Sequence, residues 1–185
     1  VEALKTASSI RRTSPSVPVY KERIAMSKIL EKIIEKKHFA FLHDQDLSWK
    51  EAVRLSTLPL VEDGSVSRDY YKQIVECIEK HGPYVVLEHN IAMPHTTENA
   101  EGAYKTAVGL LICDHKIDFG TDEDGEKKEA NLLFTLSAVN MDEHMENIAS
   151  LMDVFMNDAL IDALATCRRE EELVNVIKKN ENRQS

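Results

Sequence analysis

Apolar positions along the chain change period twice, and those changes divide it into helix-forming and strand-forming stretches. From Met26 onward, Met26, Ile29, Leu30, Ile33 and Ile34 fall on one helical stripe, with Glu31, Lys32, Glu35 and Lys36 on the other face. "HFAFL" (38–42) then reads as a short strand. Ser48 with Glu51 is a capping-box pattern ahead of Trp49, Ala52 and Val53, predicting a helix that ends near Pro59 or at the "EDG" turn. The stretch 66–82 predicts another helix, with Ser67 as its N-cap, Tyr70, Ile74 and Ile78 on one face and Gly82 as its stop.

After Gly82 the period switches. "PYVVL" (83–87), "TAVGLLIC" (106–113) and "ANLLFTLSAV" (130–139) are continuous apolar runs rich in β-branched residues, the pattern of strands buried on both faces. "DFGTDEDGEKKE" (118–129) reads as a solvated polar loop. From Asp142 the helical period returns, with Met145, Ile148, Leu151, Met152 and Phe155 as the apolar stripe, and two shorter helices follow around 158–166 and 169–179. Helices before and after a cluster of buried strands predict a three-layer α/β domain.

Residues 1–20 lack sustained periodicity and carry Ser and Pro, so 1–25 is read as a linker or the end of a preceding domain and 26–185 as the folded domain. The chain begins with Val1 rather than Met, which suggests a piece of a longer protein or a processed form of one.

Composition narrows the class. The 185 residues are 43% hydrophobic and 30% charged, as in ordinary globular proteins. A formal charge of −9 argues against direct nucleic-acid contact or electrostatic binding to an anionic membrane. No apolar run approaches the roughly 20 residues that span a bilayer. Cys77, Cys113 and Cys167 are far apart and form no CxxC pair; Cys77 and Cys113 lie in apolar stretches and read as buried free thiols, which suits a reducing cytoplasm.

Candidate chemistry concentrates in the histidines. His38, His43, His81 and His115 sit at element ends or in polar turns, where a solvated or capping role is expected. A metal set could draw on His89, His95, His144 and Cys113, but no pair has the spacing that supports one, and no metal or cofactor is inferred. His95 differs, because in "HNIAMPHTTEN" (89–99) it follows Pro94, whose fixed φ biases Met93 towards an extended backbone and holds the imidazole at the end of a rigid segment. His144 lies in the first turn of a helix and borders its apolar stripe through Ile148 and Leu151. It is either a hydrogen-bonded structural histidine or one that the helix start turns into a shared pocket.

"IAMPH" (91–95) resembles the phosphorylation-site signature of phosphotransferase-system (PTS) EIIA components of the mannitol/fructose class, or EIIA type 2. "DYYKQIVECIEKHGPYVVLEHNIAMPH" (69–95), "YKTAVGLLI" (104–112), "LLFTLSAVNMDEH" (132–144) and "LATCRREEELVNVI" (164–177) resemble its ascorbate-specific branch in the same order, over roughly residues 26 to 179. The resemblance implies a central mixed β-sheet flanked by helices. It implies His95 as the phosphorylated histidine and His144 as the second histidine that helps hold the phosphoryl group. It also implies HPr as donor and an EIIB cysteine as acceptor, with the membrane reached only through EIIC.

The residue types suit that chemistry. A neutral imidazole is a good nucleophile towards phosphorus, and backbone N–H groups with the Thr96 and Thr97 hydroxyls are candidates to hold phosphoryl oxygens. Related ascorbate-type sequences often carry a small residue and then Arg after the histidine; here Thr96 and Thr97 stand there, leaving Lys105 as the candidate replacement cation. Three functions stay open at this point: a cytoplasmic phosphocarrier, with L-ascorbate or a related compound as cargo; an EIIA-like regulatory domain at the C-terminus of a transcriptional regulator or antiterminator, fused to upstream domains; and a scaffold with both histidines structural.

Overall fold

The computed structural model describes residues 28–96 and 101–182. The segment 1–25 and Thr97 therefore lie outside the described residues. The chain order is α1 (28–35), β1 (Phe39–Leu42), α2 (Trp49–Glu62), α3 (Tyr70–His81), β2 (Ile91–Ala92), β3 (Ala107–Thr121), β4 (Lys127–Ser137), α4 (Met141–Phe155), α5 (Asp158–Ala165) and α6 (Glu170–Asn182). No helix among the described residues is long and apolar enough to cross a membrane.

Four strands form one sheet in the order β1-β3-β4-β2. β1 runs parallel to β3 and β2 parallel to β4, while β3 and β4 are an antiparallel pair, so the sheet is mixed. The central strands are buried on both faces, as continuous apolar runs require. Side chains alternate along them: Leu110, Ile112, Leu132, Phe134 and Leu136 face one core, while Leu111, Cys113 and Leu133 face the other. The first core is closed by Leu30 and Ile33 of α1, Leu151 and Val154 of α4, and residues of α5 and α6. The second is closed by Val53 and Leu60 of α2 and by Tyr70, Ile74 and Ile78 of α3. The molecule is thus a three-layer α/β sandwich.

Packing between layers explains several residue choices. α2 passes so close to β3 that a Cβ on Gly109 would stand 3.3 Å from the Ser56 carbonyl oxygen. On the same face Thr135 Oγ1 donates to Ser56 Oγ at 2.6 Å, and Ser56 Oγ donates to the Val53 carbonyl at 2.7 Å, so both buried hydroxyls are satisfied.

Some expectations are corrected. Of the two ends expected for α2, the "EDG" turn is the one found: Pro59 does not stop the helix, which continues to Glu62 with Pro59 and Leu60 buried. Ser67 is not the cap of α3: its N–H is drawn to the Gly102 carbonyl at 2.8 Å, Val66 bridges Ala103, and the helix starts after Asp69. The run 83–87 is a turn with a single bridge, Val86 to Ala92, rather than a strand. Much of the supposed polar loop 118–129 is strand, because β3 and β4 continue as an antiparallel hairpin, with Ile117, Phe119 and Ala130 buried in the second core, closed by a tight turn at Gly125. His38 is buried rather than solvated, and its Nε2–H donates to Asp63 Oδ2 at 2.6 Å.

Candidate functional site

The segment carrying His95 is built by reversing the chain twice in a short space. α3 ends at Gly82, whose φ of 77° suits a residue without Cβ. A second reversal follows at His89 and Asn90, with φ of 56° and 60°. Between these reversals, the Leu87 N–H donates to the Ile91 carbonyl and the Met93 N–H to the Val85 carbonyl, both at 2.8 Å. Beyond β2, the Pro94 carbonyl accepts the Leu136 N–H at 3.0 Å, which fastens the backbone just before His95 to β4. Proline cannot donate, but its carbonyl still pairs.

His95 is half-buried at the end of this segment. Its Nδ1 lies 2.6 Å from the Met93 carbonyl oxygen. A carbonyl only accepts, so the proton of the neutral ring sits on Nδ1 and Nε2 keeps a bare lone pair. The Tyr84 hydroxyl donates to the His95 carbonyl at 2.7 Å, and the two rings meet edge-on with centroids 5.3 Å apart. Burial pushes the Tyr84 phenol well above its usual range, so it remains a donor at any ordinary pH.

The second histidine arrives from another element. Asn140 caps α4, its side-chain oxygen accepting the Glu143 N–H at 2.9 Å, and its amide donates to the Glu143 carboxylate at 3.0 Å. The Thr106 hydroxyl donates to the other oxygen of that carboxylate. This fixes the first turn, and His144 points from it to His95 with ring centroids 5.5 Å apart at 41°. Burial lowers the basicity of His95 first of all; the Met93 carbonyl opposes this and the neighbouring His144 adds to it. Burial also lowers His144. Two imidazoles neutral at pH 7 therefore face each other, one with a free nitrogen nucleophile.

Other expected participants are placed differently. Thr96 is half-buried, and its side chain is a hydrogen-bond partner of the Tyr70 hydroxyl, which itself donates to the Leu136 carbonyl at 2.8 Å. Lys105 reaches away from the histidines, its ammonium donating to the Asp63 carbonyl at 3.2 Å. His89 pairs with Asp158 at 3.6 Å, and Cys113 is buried in the second core. Tyr84, Asn140 and Glu143 were not singled out from the sequence. Only the S/T/D/N-x-x-E spacing of Asn140 with Glu143 carried a local signal of its role.

Comparison with known proteins agrees with this geometry. The profile of the family described as "Phosphoenolpyruvate-dependent sugar phosphotransferase system, EIIA 2" matches residues 32–180. The ascorbate-specific PTS system EIIA component of Shigella flexneri is 31% identical over 133 residues, spanning 71% of this chain and 84% of that protein. The crystal structure of a PTS IIA protein from Streptococcus mutans superposes with a TM-score of 0.69 at 30% identity, covering 83% of this chain and 95% of that one. The Escherichia coli mannitol IIA, solved in complex with phosphorylated mannitol IIB, shares the fold at a TM-score of 0.60 and 24% identity, over 76% of this chain and 99% of that one. With its three-layer fold and a match over most of its length, the chain belongs to the EIIA type 2 family of the phosphoenolpyruvate-dependent sugar phosphotransferase system.

Proposed function

We propose that the protein is a phosphocarrier that accepts a phosphoryl group from phospho-HPr on His95 Nε2 and passes it to a cysteine of an EIIB partner. The observation that carries this reading is the 2.6 Å bond from His95 Nδ1 to the Met93 carbonyl, because it decides which nitrogen attacks. The Nε2 lone pair forms the new N–P bond while the N–P bond to the HPr imidazole breaks and its electron pair returns to that ring. The His95 ring becomes cationic as it is phosphorylated, and the Met93 carbonyl stabilises the added charge through the Nδ1 proton. His144, neutral and adjacent, donates a ring N–H to a phosphoryl oxygen. Thr97 is the proposed hydroxyl contact to the remaining oxygens, since the Thr96 hydroxyl already donates to Tyr70. Transfer to EIIB reverses the step, with a thiolate attacking phosphorus and Nε2 leaving as neutral imidazole.

The solved mannitol pair, in which a IIA faces a phosphorylated IIB, supports an EIIB partner here. The ascorbate-specific relative supports L-ascorbate as the cargo of the wider system. The carrier works in the cytoplasm and meets the membrane only through EIIC. Intact mass after incubation with phosphoenolpyruvate, enzyme I and HPr tests the first step. One acid-labile phosphoryl group is expected on the wild type and none on a folded His95→Ala variant. A wild type that stays unmodified beside active upstream proteins, or a His95→Ala variant that still gains the group, overturns the assignment.

A further inference from the structure

In an acidic chain, cations are gathered on one wall. Lys28, Lys32 and Lys36 lie at i, i+4 and i+8 and so share a face of α1. All three are exposed and without an ion pair among the described residues. They border a cavity of about 630 Å³ between α1, α4 and the start of β3, closed on the other side by Lys105. Four lysines line it against two acidic residues, Asp63 and Glu146, so the lining is formally positive while the chain carries −9.

A second observation concerns Asn147, which also lines the cavity. Its amide nitrogen is buried and has no hydrogen-bond partner among the described residues. A buried donor without an acceptor is costly, and a turn of the Asn147 side chain towards the cavity would let a ligand oxygen supply the missing partner. The rest of the lining is rich in hydroxyls and poor in large apolar groups, Ile29 and Val108 being the main exceptions. His95 and His144 do not line it, although Thr106, whose hydroxyl holds Glu143, does, and the inference does not rest on the phosphocarrier reading.

We infer that this cavity binds a small phosphorylated polyhydroxy compound of sugar-phosphate size. Lysine ammoniums are compact charges suited to a phosphate monoester. The Glu146 carboxylate accepts from sugar hydroxyls, Asp63 being already bonded to His38 and Ser65, and the Asn147 amide, turned towards the ligand, donates to a sugar oxygen or to the phosphate. The volume lies within the range of small-molecule sites, about 300–1,000 Å³.

Calorimetric titration of the full chain with ribose 5-phosphate, glucose 6-phosphate, ribose and inorganic phosphate tests this. At least one sugar phosphate is expected to bind saturably and about tenfold or more tighter than inorganic phosphate, with no binding of ribose. The Lys32→Glu/Lys36→Glu variant, altered only at exposed positions, should weaken that binding at least about tenfold, in line with loss of two charge contacts. Asn147→Asp, nearly isosteric, should weaken it too, and His95→Ala should leave it intact. Absence of saturable binding by both sugar phosphates overturns the inference, as does equal affinity for inorganic phosphate. Binding that survives the lysine changes, or is lost in His95→Ala, places the ligand elsewhere and also overturns it.

Discussion

An imidazole that accepts a phosphoryl group must be neutral and must have one nitrogen bare. His95 meets both conditions through its surroundings: burial and His144 disfavour the cation, and the Met93 carbonyl occupies Nδ1. The sign of the pH dependence follows. A histidine whose folded value lies below the unfolded one, near 6.5, binds fewer protons when folded. Its contribution to stability is full above about 6.5 and is lost as pH falls through the lowered folded value. The proton NMR signals of both His95 and His144 should therefore titrate with midpoints below about 6.5. A midpoint at or above that value for His95 would mean that the ring is not held as described. In the proposed step His144 acts on charge rather than as the nucleophile, so His144→Ala should still become phosphorylated, but about 10²-fold more slowly, the size of effect seen when one transition-state donor is removed. Single-turnover rates from phospho-HPr measure it; an unchanged rate would leave His144 without a role in transfer.

Elements position these side chains, and two contacts carry most of the placement. Asn140 caps α4 and so fixes the turn that presents His144. Asn140→Ala should cost about 1 kcal/mol of stability, a typical cap loss, and should slow phosphorylation as the first turn frays. Tyr70 ties α3 to β4 through the Leu136 carbonyl, next to the bond that anchors Pro94. Tyr70→Phe should lower stability by about 1–3 kcal/mol, because a buried carbonyl loses its partner. Thermal unfolding checks both, and an unchanged midpoint in either variant would show that the contact is dispensable. The sequence revealed the helices well, since their apolar stripes repeat many times. It was weaker where a tertiary partner decides: it left the end of α2 open between Pro59 and the "EDG" turn, and Val85–Leu87 looks like a strand although only Val86 finds a bridge. The outer hairpin was missed because its buried residues, Ile117 and Phe119, alternate with polar ones instead of forming a continuous apolar run. His95 was legible from its proline and the IAMPH block, but Tyr84 was not, as nothing in "HGPY" tells that its hydroxyl will reach the His95 carbonyl.

At the scale of the whole molecule, the layers bring β2, β4 and α4 together so that the two histidines meet at the surface, where another protein can approach. The rim there carries exposed apolar side chains. Val139, Met141 and Met145 are 49%, 59% and 56% exposed around the start of α4, beside His144. Large apolar side chains left in water at a reactive group are what a transient partner covers. On the proposed relay between two proteins, methionine suits such a surface, because its flexible thioether repacks readily. A Met141→Asp/Met145→Asp variant separates docking from chemistry. Both positions are exposed, so stability should change by no more than about 0.5 kcal/mol per site. Transfer from phospho-HPr should slow by at least about tenfold, or ~1.4 kcal/mol, as negative charge replaces the apolar contact. Phosphorylation by a small donor such as phosphoramidate, which needs no docking surface, should proceed at the wild-type rate. If both donors slow together, the methionines act on the histidine pair itself; if neither does, the partners dock elsewhere on the molecule.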